Sequence, residues 1–584
     1  MTENNYQEYY NNLDFPLNVY ACILYLQEGK VDYLHYGLFN EGELVQHISA
    51  RDVQQRSTDL LLNHLPPSPC RILEVGVGLG TTALQLAKLG YVVTAISPDS
   101  KQVAVAKQLV KDTVTLECIT LEAFVAPNGV GYDIILFQES AQYLHSLTLF
   151  NQARNLLTEN GCILIVDEVG LQRTAKYSNY NLPLLNHTVA QAKRCGFKIL
   201  EQIDLSAQAA PTVDYLIWAI EKHQATLLAN LCLTPVILTD LVNSLREYQQ
   251  KYRDGHYGYA LLKLAKTKSP RWQVTTVTNQ DKQSVRSLFA EVFAPEQMSD
   301  ALWDWKYENK GLGIAAWRDG KMVAHYGAIL REISYFGVSK QAVQIADVMV
   351  SVKERSHLTR HGAFFLTAAT FPECYVGYGA KSWLGYGFPN QRALKVAQHL
   401  GLYTSVGKMV ELRWQTVQGK SHLWTRIRHL QPQQNKKIIN ELWEKMCLDL
   451  PNALVGKRDF AYIQHRYFQH PQHNYELLLV SKRFSGKPLG ILVIQRKEAI
   501  CQIMDFIGGL KYIPEIIKQI QRISKAWNLE QVTMWITANF VSVFPETEQF
   551  DLNIQIPHSI WCQGIPAEKI DGHWWLMAGD TDFL

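Results

Sequence analysis

No Cys-x-x-Cys pair occurs in the chain, although its 584 residues include ten cysteines between Cys22 and Cys562. Thiols scattered singly exclude a zinc ribbon and a disulfide scaffold, and they fit a reducing compartment. No apolar run approaches the roughly 20 residues that a membrane-spanning helix needs. Charged residues make up only 19% against 47% hydrophobic residues, a balance that excludes a disordered chain. Nowhere do Lys and Arg form a dense stripe with interleaved aromatics, which argues against nucleic acid as a partner. Low-complexity tracts and short-period repeats are absent too. The first twelve residues are polar and acidic, unlike the basic-then-apolar build of a secretory signal. A cytoplasmic protein without a membrane or nucleic-acid partner is expected.

At roughly 150 residues per domain the length implies two to four compact units. The net charge of +3 hides an asymmetry. Residues 1–265 hold 19 Lys and Arg against 26 Asp and Glu, or −7, which leaves 38 against 28, or +10, for the remainder. Opposite signs suggest two separately evolved modules, and the basic half suits a polyanionic ligand such as coenzyme A.

The first half alternates short apolar runs with amphipathic stretches. Strands are expected over 71–77 (RILEVGV), 91–96, 114–119, 132–137 (YDIILF), 162–166, 197–203 and 257–264, with helices over 81–89, 101–110, 148–157 and 189–195. That rhythm marks a doubly wound, mainly parallel sheet. The polar stretch 266–272 (KTKSPRW) reads as a linker. Beyond it the order is mixed: helix 281–293, strands 313–317 and 321–330 around Asp319-Gly320, strand 344–352, helix 362–370, strand 374–378 and helix 393–399. From about residue 432 a similar α+β rhythm returns, with helices 435–447 and 514–526 around strands 475–481, 490–496 and 501–506.

Glu74-Val75-Gly76-Val77-Gly78-Leu79-Gly80 lies between a strand and a helix. Glycines there let main-chain amides approach a ligand that side chains would hold off. The acid two positions before the first glycine suits the cationic amino group of an amino-acid-like cofactor better than a phosphate. On these residues and the strand order around them, residues 40–265 resemble class I S-adenosylmethionine-dependent methyltransferases. The resemblance implies that Glu74, Gly76, Gly78 and Gly80 cradle the methionine portion of S-adenosylmethionine. It places Ser97 where the family carries an acid for the ribose hydroxyls, with Asp99 as a substitute. Glu122 and Phe124 would flank the adenine as acceptor and stacking surface. Gln138 would join the cofactor site, and Glu139 would act as base or orient the acceptor, with Tyr143 shaping the pocket. The tyrosine-rich segment 6–20 is one that in the family often closes over the site.

In the second half, a strand ending in Asp347-Val348-Met349-Val350 leads to Thr359-Arg360-His361-Gly362-Ala363-Phe364 at a helix start, a place suited to pyrophosphate. Tyr386-Gly387-Phe388-Pro389-Asn390 then precedes another helix. Their order resembles the GNAT acyltransferase superfamily, with 273–413 as a core lobe and 425–584 as a second, divergent lobe. The resemblance implies that Arg360, Gly362 and Ala363 bind the coenzyme A pyrophosphate. Met349 and Val350 would hold the thioester and pantetheine by main-chain bonds, and Asn390 would contact the pantetheine arm. Asp347 is the candidate base and Tyr386 a candidate acid, because Ala397 stands where the family commonly has a tyrosine that protonates the leaving thiolate. His465, His470 and His473 look like metal ligands, yet no nearby acid or cysteine completes a set.

The expected fold is therefore α/β, a Rossmann-like seven-stranded methyltransferase sheet followed by two GNAT-like α+β lobes. The expected function is a bifunctional transferase that methylates with S-adenosylmethionine and acylates with acetyl-CoA or another acyl-CoA. Its substrate would be a small amine- or hydroxyl-bearing metabolite or sugar, of the kind found in natural-product or surface-sugar biosynthesis. Two other readings are a methyltransferase carrying a non-catalytic GNAT-like docking module, and a GNAT-type decarboxylase of acyl thioesters beside an inert methyltransferase lobe.

Overall fold

The computed structural model describes residues 12–178, 182–308, 311–355, 359–419 and 424–581. The chain divides into two compact units, one made of residues 1–173 and 180–275, the other of 174–179 and 276–584.

Unit one is built on a seven-stranded sheet. Its strands are β1 (Arg71–Val75), β2 (Val92–Ser97), β3 (Thr115–Cys118), β4 (Tyr132–Gln138), β5 (Leu157–Gly170), β6 (Phe197–Asp204) and β7 (Tyr257–Lys266). The order across the sheet is β3-β2-β1-β4-β5-β7-β6. Strands β1 to β5 run parallel, and β7 inserts antiparallel to both β5 and β6. Strands β1 and β4 are buried along almost their whole length, as central strands of a parallel sheet are. Between β6 and β7 the chain inserts helices, including Pro211–Lys222 and Pro235–Arg253. They pack with helix Leu17–Glu28 around Val19, Ile23, Val213, Ile220 and Leu238. The stretch 266–272 is tied to this unit: Arg154 donates to Thr267 O (2.7 Å), Thr267 N donates to Gly196 O (2.9 Å), and Trp272 is buried.

Strand β8 (Gln273–Thr276) follows β7. In unit two the first sheet centres on β10 (Lys321–Tyr335) and β11 (Val338–Val350), antiparallel partners along most of their length. The other edge of β10 is shared by β9 (Gly311–Arg318) and, at Ile333 to Tyr335, by β15 (Leu454–Gly456). Strand β12 (Leu384–Tyr386) runs parallel to β11 over only three residues, Ala342↔Leu384 to Gln344↔Tyr386. A second sheet runs in the order β14 (Thr425–His429), β16 (Glu476–Lys482), β17 (Pro488–Lys497), β18 (Ile500–Gly508), β19 (Gln531–Thr537), β13 (Tyr403–Gln415) and β20 (Glu548–Ser559). Two strands cross the lobe boundary expected near 413–425. Strand β13 (Tyr403–Gln415) pairs between β19 (Gln531–Thr537) and β20 (Glu548–Ser559), while β15 joins the first sheet. This exchange ties the two lobes together by main-chain hydrogen bonds.

Of the strand expected over 374–378, Val376 makes a single bridge to Ser382, while Cys374 and Tyr375 instead end helix Ala363–Tyr375. Nine of its thirteen residues are buried, so no polar face marks a helical period, and a buried helix reads like a buried strand.

Charge is buried where the sheets meet. The fully buried Arg458 donates from Nε to Asp505 (2.7 Å), from Nη2 to Asp580 (2.6 Å) and from Nη1 to Gly456 O (2.6 Å). One cation thus balances two buried carboxylates and joins β15 to β18 (Ile500–Gly508) and the C-terminal turn. Arg458→Ala leaves both acids uncompensated and is expected to cost about 3–5 kcal/mol in denaturant unfolding. Arg458→Lys, keeping the charge but not the fork, should lose less.

Candidate functional site

The unit-one cavity, about 500 Å³, opens at the carboxyl ends of β1, β2 and β4. Ligands bind at this edge in open parallel sheets. Pairing of β1 with β4 ends at Val75↔Phe137, and the two chains then part. At that point Gly76 and Gly78 both adopt left-handed backbone, with φ of 89° and 53°. They do so for different reasons. A Cβ on Gly76 would come within 2.5 Å of Ser140 Cβ, so this glycine is a packing requirement. A Cβ on Gly78 would meet nothing within 4 Å, because Gly78 faces the cavity.

Glu74 is 2% exposed, and its Oε2 has no hydrogen-bond partner among the described residues. Burial raises its carboxyl to about 8. A cradle left open at Gly78 beside an unsatisfied buried carboxyl fits the cationic amino group of S-adenosylmethionine. Ser97 and Asp99 also line the cavity, but Asp99 Oδ1 caps helix Ser100–Val110 by accepting from Lys101 N (2.9 Å) and Gln102 N (3.2 Å). Ser97 Oγ accepts from Asp99 N (3.2 Å). Glu122 lines the cavity and is exposed.

Phe124 does not reach the cavity. It is buried against Tyr132, with ring centres 6.2 Å apart, and Ile119 and Leu121 supply the apolar wall in its place. The turn after β3 folds back, Phe124 N donating to Thr120 O, and carries the ring into the core. Gln138 lines the cavity with its amide engaged on both sides, accepting from Thr82 Oγ1 (2.9 Å) and donating to Thr58 Oγ1 (3.4 Å).

Glu139 stands at φ 56°, a conformation few non-glycine residues adopt and one that clusters at functional sites. Its Oε1 accepts from Tyr36 N (2.6 Å) and from the Tyr259 hydroxyl (2.7 Å). Burial drives its carboxyl well above the ordinary range, while Tyr259 and the Tyr36 amide oppose that rise. Sequence reasoning missed the segment 32–36, which supplies Tyr33, Leu34 and His35 to the lining. The run Asp32-Tyr33-Leu34-His35-Tyr36-Gly37 signals it by aromatic density before a glycine. Burial lowers His35 to about 4, so it is neutral, bridging Tyr36 O (2.9 Å) and Thr58 Oγ1 (3.1 Å).

Residues 73–165 match the family model of a methyltransferase domain. Unit one carries a class I methyltransferase domain. No curated protein matches the chain. In fold the chain is similar to the cyclase SpnF (18% identity, 42% of this chain and 92% of the other, TM-score 0.37). It is similar to the cyclopropane synthase MmaA2 from Mycobacterium tuberculosis (17%, 45% and 98%, TM-score 0.38). A further likeness is to an Enterococcus faecalis protein described as a probable N-acyltransferase (11%, 49% and 72%, TM-score 0.39). No helix among the described residues is long and apolar enough to cross a membrane.

Unit two holds a larger cavity, about 780 Å³, where β11 and β12 diverge. Asp347, Tyr386 and Asn390 line it; Met349, Val350, Arg360, Gly362 and Ala363 do not. Met349 is buried in the core, Val350 O accepts from Arg355 Nε (2.9 Å), and Arg360 reaches Leu400 O (3.5 Å). Gly362 and Ala363 are buried at the helix start, and that helix sends Phe364 to the lining instead. Asp347 stands at φ 49° and accepts from Lys306 Nζ (3.0 Å) and the Tyr307 hydroxyl (2.5 Å), all three buried. Tyr386 packs 4.7 Å from the Trp574 ring, and burial pushes its phenol up. Asn390 Oδ1 caps helix Gln391–His399 by accepting from Ala393 N (2.9 Å). Ala397 also lines the cavity, as do the mutually hydrogen-bonded hydroxyls of Tyr326 and Tyr403. The His470 Nδ1 lies 3.0–3.2 Å from the main-chain N–H groups of His473 and Gln472, which occupy it.

The two glycines make different demands, which thermal unfolding separates. Gly78→Ala meets only the left-handed backbone cost of about 1–2 kcal/mol. Gly76→Ala adds the collision with Ser140 and should lower the melting temperature several degrees further.

Proposed function

We propose that unit one is an S-adenosylmethionine-dependent methyltransferase acting on a small amine- or hydroxyl-bearing acceptor. One observation carries this reading: the unsatisfied buried Glu74 oxygen beside the open Gly78 cradle, inside a matched methyltransferase domain. When bound, the cofactor supplies a methyl group on a positively charged sulfur. Glu74 would hold its amino group, main-chain amides around Gly78 its methionine portion, Ser97 the ribose side, and Glu122 with Ile119 and Leu121 the adenine side. Glu139, fixed by Tyr36 and Tyr259, aligns the acceptor. Methyl transfer from sulfonium depends mainly on such alignment and on a dry cavity.

We further propose that unit two binds an acyl-CoA in the cavity between β11 and β12. Three groups support it: the buried Lys306–Asp347 pair, the Tyr326–Tyr403 hydroxyl pair, and the exposed Asn390 that caps its helix, all lining one opening. The alternative, a docking module without turnover, is favoured by Ala397 in the lining where a tyrosine would serve as acid.

Calorimetry tests both readings. Glu74 is largely protonated at pH 7, because its folded value is about 8. An ammonium beside it requires the carboxylate, so S-adenosylmethionine binding should release about one proton at pH 7. Affinity should rise with pH toward 8 by at most about tenfold per unit. Titration in buffers of differing ionisation enthalpy reads the release, and Glu74→Gln should abolish that proton and weaken binding. No proton release with unaltered affinity in Glu74→Gln would overturn the assignment. For unit two, Asn390→Asp keeps a good helix cap but loses the amide donor. It should weaken acetyl-CoA binding with no loss of stability, whereas Asn390→Ala should also cost about 1 kcal/mol of stability.

A further inference from the structure

The unit-one cavity is short of positive charge. Its lining includes five acids, Asp32, Glu74, Asp99, Glu122 and Glu139, and no lysine or arginine. Asp32 is paired with Lys30 and Arg51, and Asp99 is spent on a helix cap. Glu74 is accounted for by the cofactor amino group. Glu139 is not accounted for, and behind it lie Asp167 and Glu168 at the end of β5, both buried. Among the described residues no lysine or arginine forms an ion pair with these three acids. Lys251, the cation on the neighbouring helix, is paired with Glu247 (3.2 Å).

What surrounds these acids is aromatic. Tyr252 donates its hydroxyl to Glu168 Oε1 (2.8 Å), as Tyr259 does to Glu139. The Tyr36 ring stacks on Tyr259 with centres 5.6 Å apart and lies 6.4 Å from Tyr252. Tyr20 is near enough to Glu168 and Tyr143 for their charges to act on its phenol. Tyr143 is 78% exposed and lines the cavity next to Glu139. Tyr20, Tyr36 and Tyr252 are half-buried, so the cluster is not sealed into the core. Burial lifts Glu168 to about 7 and Asp167 to about 8, the response of acids that lack a cation.

Asp167 accepts from the main-chain N–H groups of Gln142 (3.0 Å) and Glu168 (2.8 Å) and so holds the turn after Glu139, but a hydroxyl acceptor, needing one base, would leave Glu168 and the stacked rings without a task. Carboxylates between electron-rich ring faces are the environment that holds an alkylated ammonium. We infer that the methyl acceptor is a cationic amine, its nitrogen held against Glu139 with Glu168 behind it and its alkyl groups against Tyr143, with the rings of Tyr36 and Tyr252 packed behind that wall. This rests on the methyltransferase reading of unit one. A protonated amine must shed one proton before its nitrogen becomes nucleophilic. The N–H bond breaks with its electron pair left on nitrogen, and the proton forms an O–H bond on Glu139 or Glu168.

The test separates charge from shape. Choline and 3,3-dimethylbutan-1-ol have the same outline and differ in the positive charge. Each is titrated into the full-length protein saturated with S-adenosylhomocysteine. Choline is expected to bind at least about tenfold more tightly than its neutral isostere. Glu168→Gln and Tyr36→Leu should each erase most of that difference while S-adenosylhomocysteine affinity, the report on intact folding, stays unchanged. Equal affinity for the two probes, or a choline preference that survives both variants, overturns the inference and leaves the methyltransferase reading standing. Failure of the wild-type protein to bind S-adenosylhomocysteine overturns both.

Discussion

Where two parallel strands stop pairing and part, main-chain amides and carbonyls lose their partners at the same place that a crevice opens. The structure depends on this event twice. In unit one, β1 and β4 separate after Val75 and Phe137; in unit two, β11 and β12 separate after Gln344 and Tyr386. Each crevice is the cavity of its unit. Helices cannot fill it, because the connections on either side lead away to opposite faces of the sheet. The chain must instead turn sharply at the strand ends. That requirement selects left-handed glycines at 76 and 78 and places Glu139 in left-handed backbone; Asp347 adopts it inside β11, where pairing with β10 shifts register between His325 and Gly327. Two acids in a conformation that costs about 1–3 kcal/mol each are held there by their surroundings. Both sit at the mouth of a diverging strand pair.

The two acids have been treated in opposite ways. Asp347 is given a buried lysine and a tyrosine hydroxyl, so its charge is compensated within the protein. Glu139 receives only neutral donors, a main-chain amide and a phenol. Breaking a buried ion pair leaves an uncompensated charge that is expensive, which makes Asp347 a fixed element of its cavity wall. Glu139 carries its desolvation cost without such relief, and its carboxyl shifts upward accordingly. A carboxyl raised by burial and given no cation responds to charge that enters the cavity. That difference is why the proposed role in aligning the acceptor falls to Glu139, while Asp347 is held as part of its wall.

Much of unit one was legible because its signals are local. A buried parallel strand is a short, largely apolar run, and 71–75, 92–96, 132–137 and 162–166 read that way; the glycine turn follows β1 directly in sequence. The parts that were not legible are those set by packing. Phe124 carries the right residue type two positions past Glu122, yet a turn that closes onto Thr120 rotates it into the core. Tyr259 lies 120 residues from Glu139, and the antiparallel insertion of β7 beside β5 brings it there; Tyr252, on helix Pro235–Arg253, reaches Glu168 instead. In unit two, the strand exchange of β13 and β15 has no local sign, since each strand looks the same whichever sheet it joins. Likewise the amide of Asn390 is a good helix cap and a good ligand donor by composition alone, and geometry decides that its oxygen serves the cap.

The unequal charge of the two halves takes on a local meaning from these sites. The acidic half concentrates its uncompensated carboxyls around one cavity, at Glu74, Glu139, Asp167 and Glu168, all of them shifted upward by burial. Burial disfavours the charged form of each of these acids, and a cation entering beside one of them favours it again. On the proposed reading the cofactor amino group would do so at Glu74, and a cationic acceptor at the far end would do so at Glu139 or Glu168. The field across the reacting centre would then be assembled only when both ligands are in place. A neutral acceptor would complete only half of that arrangement.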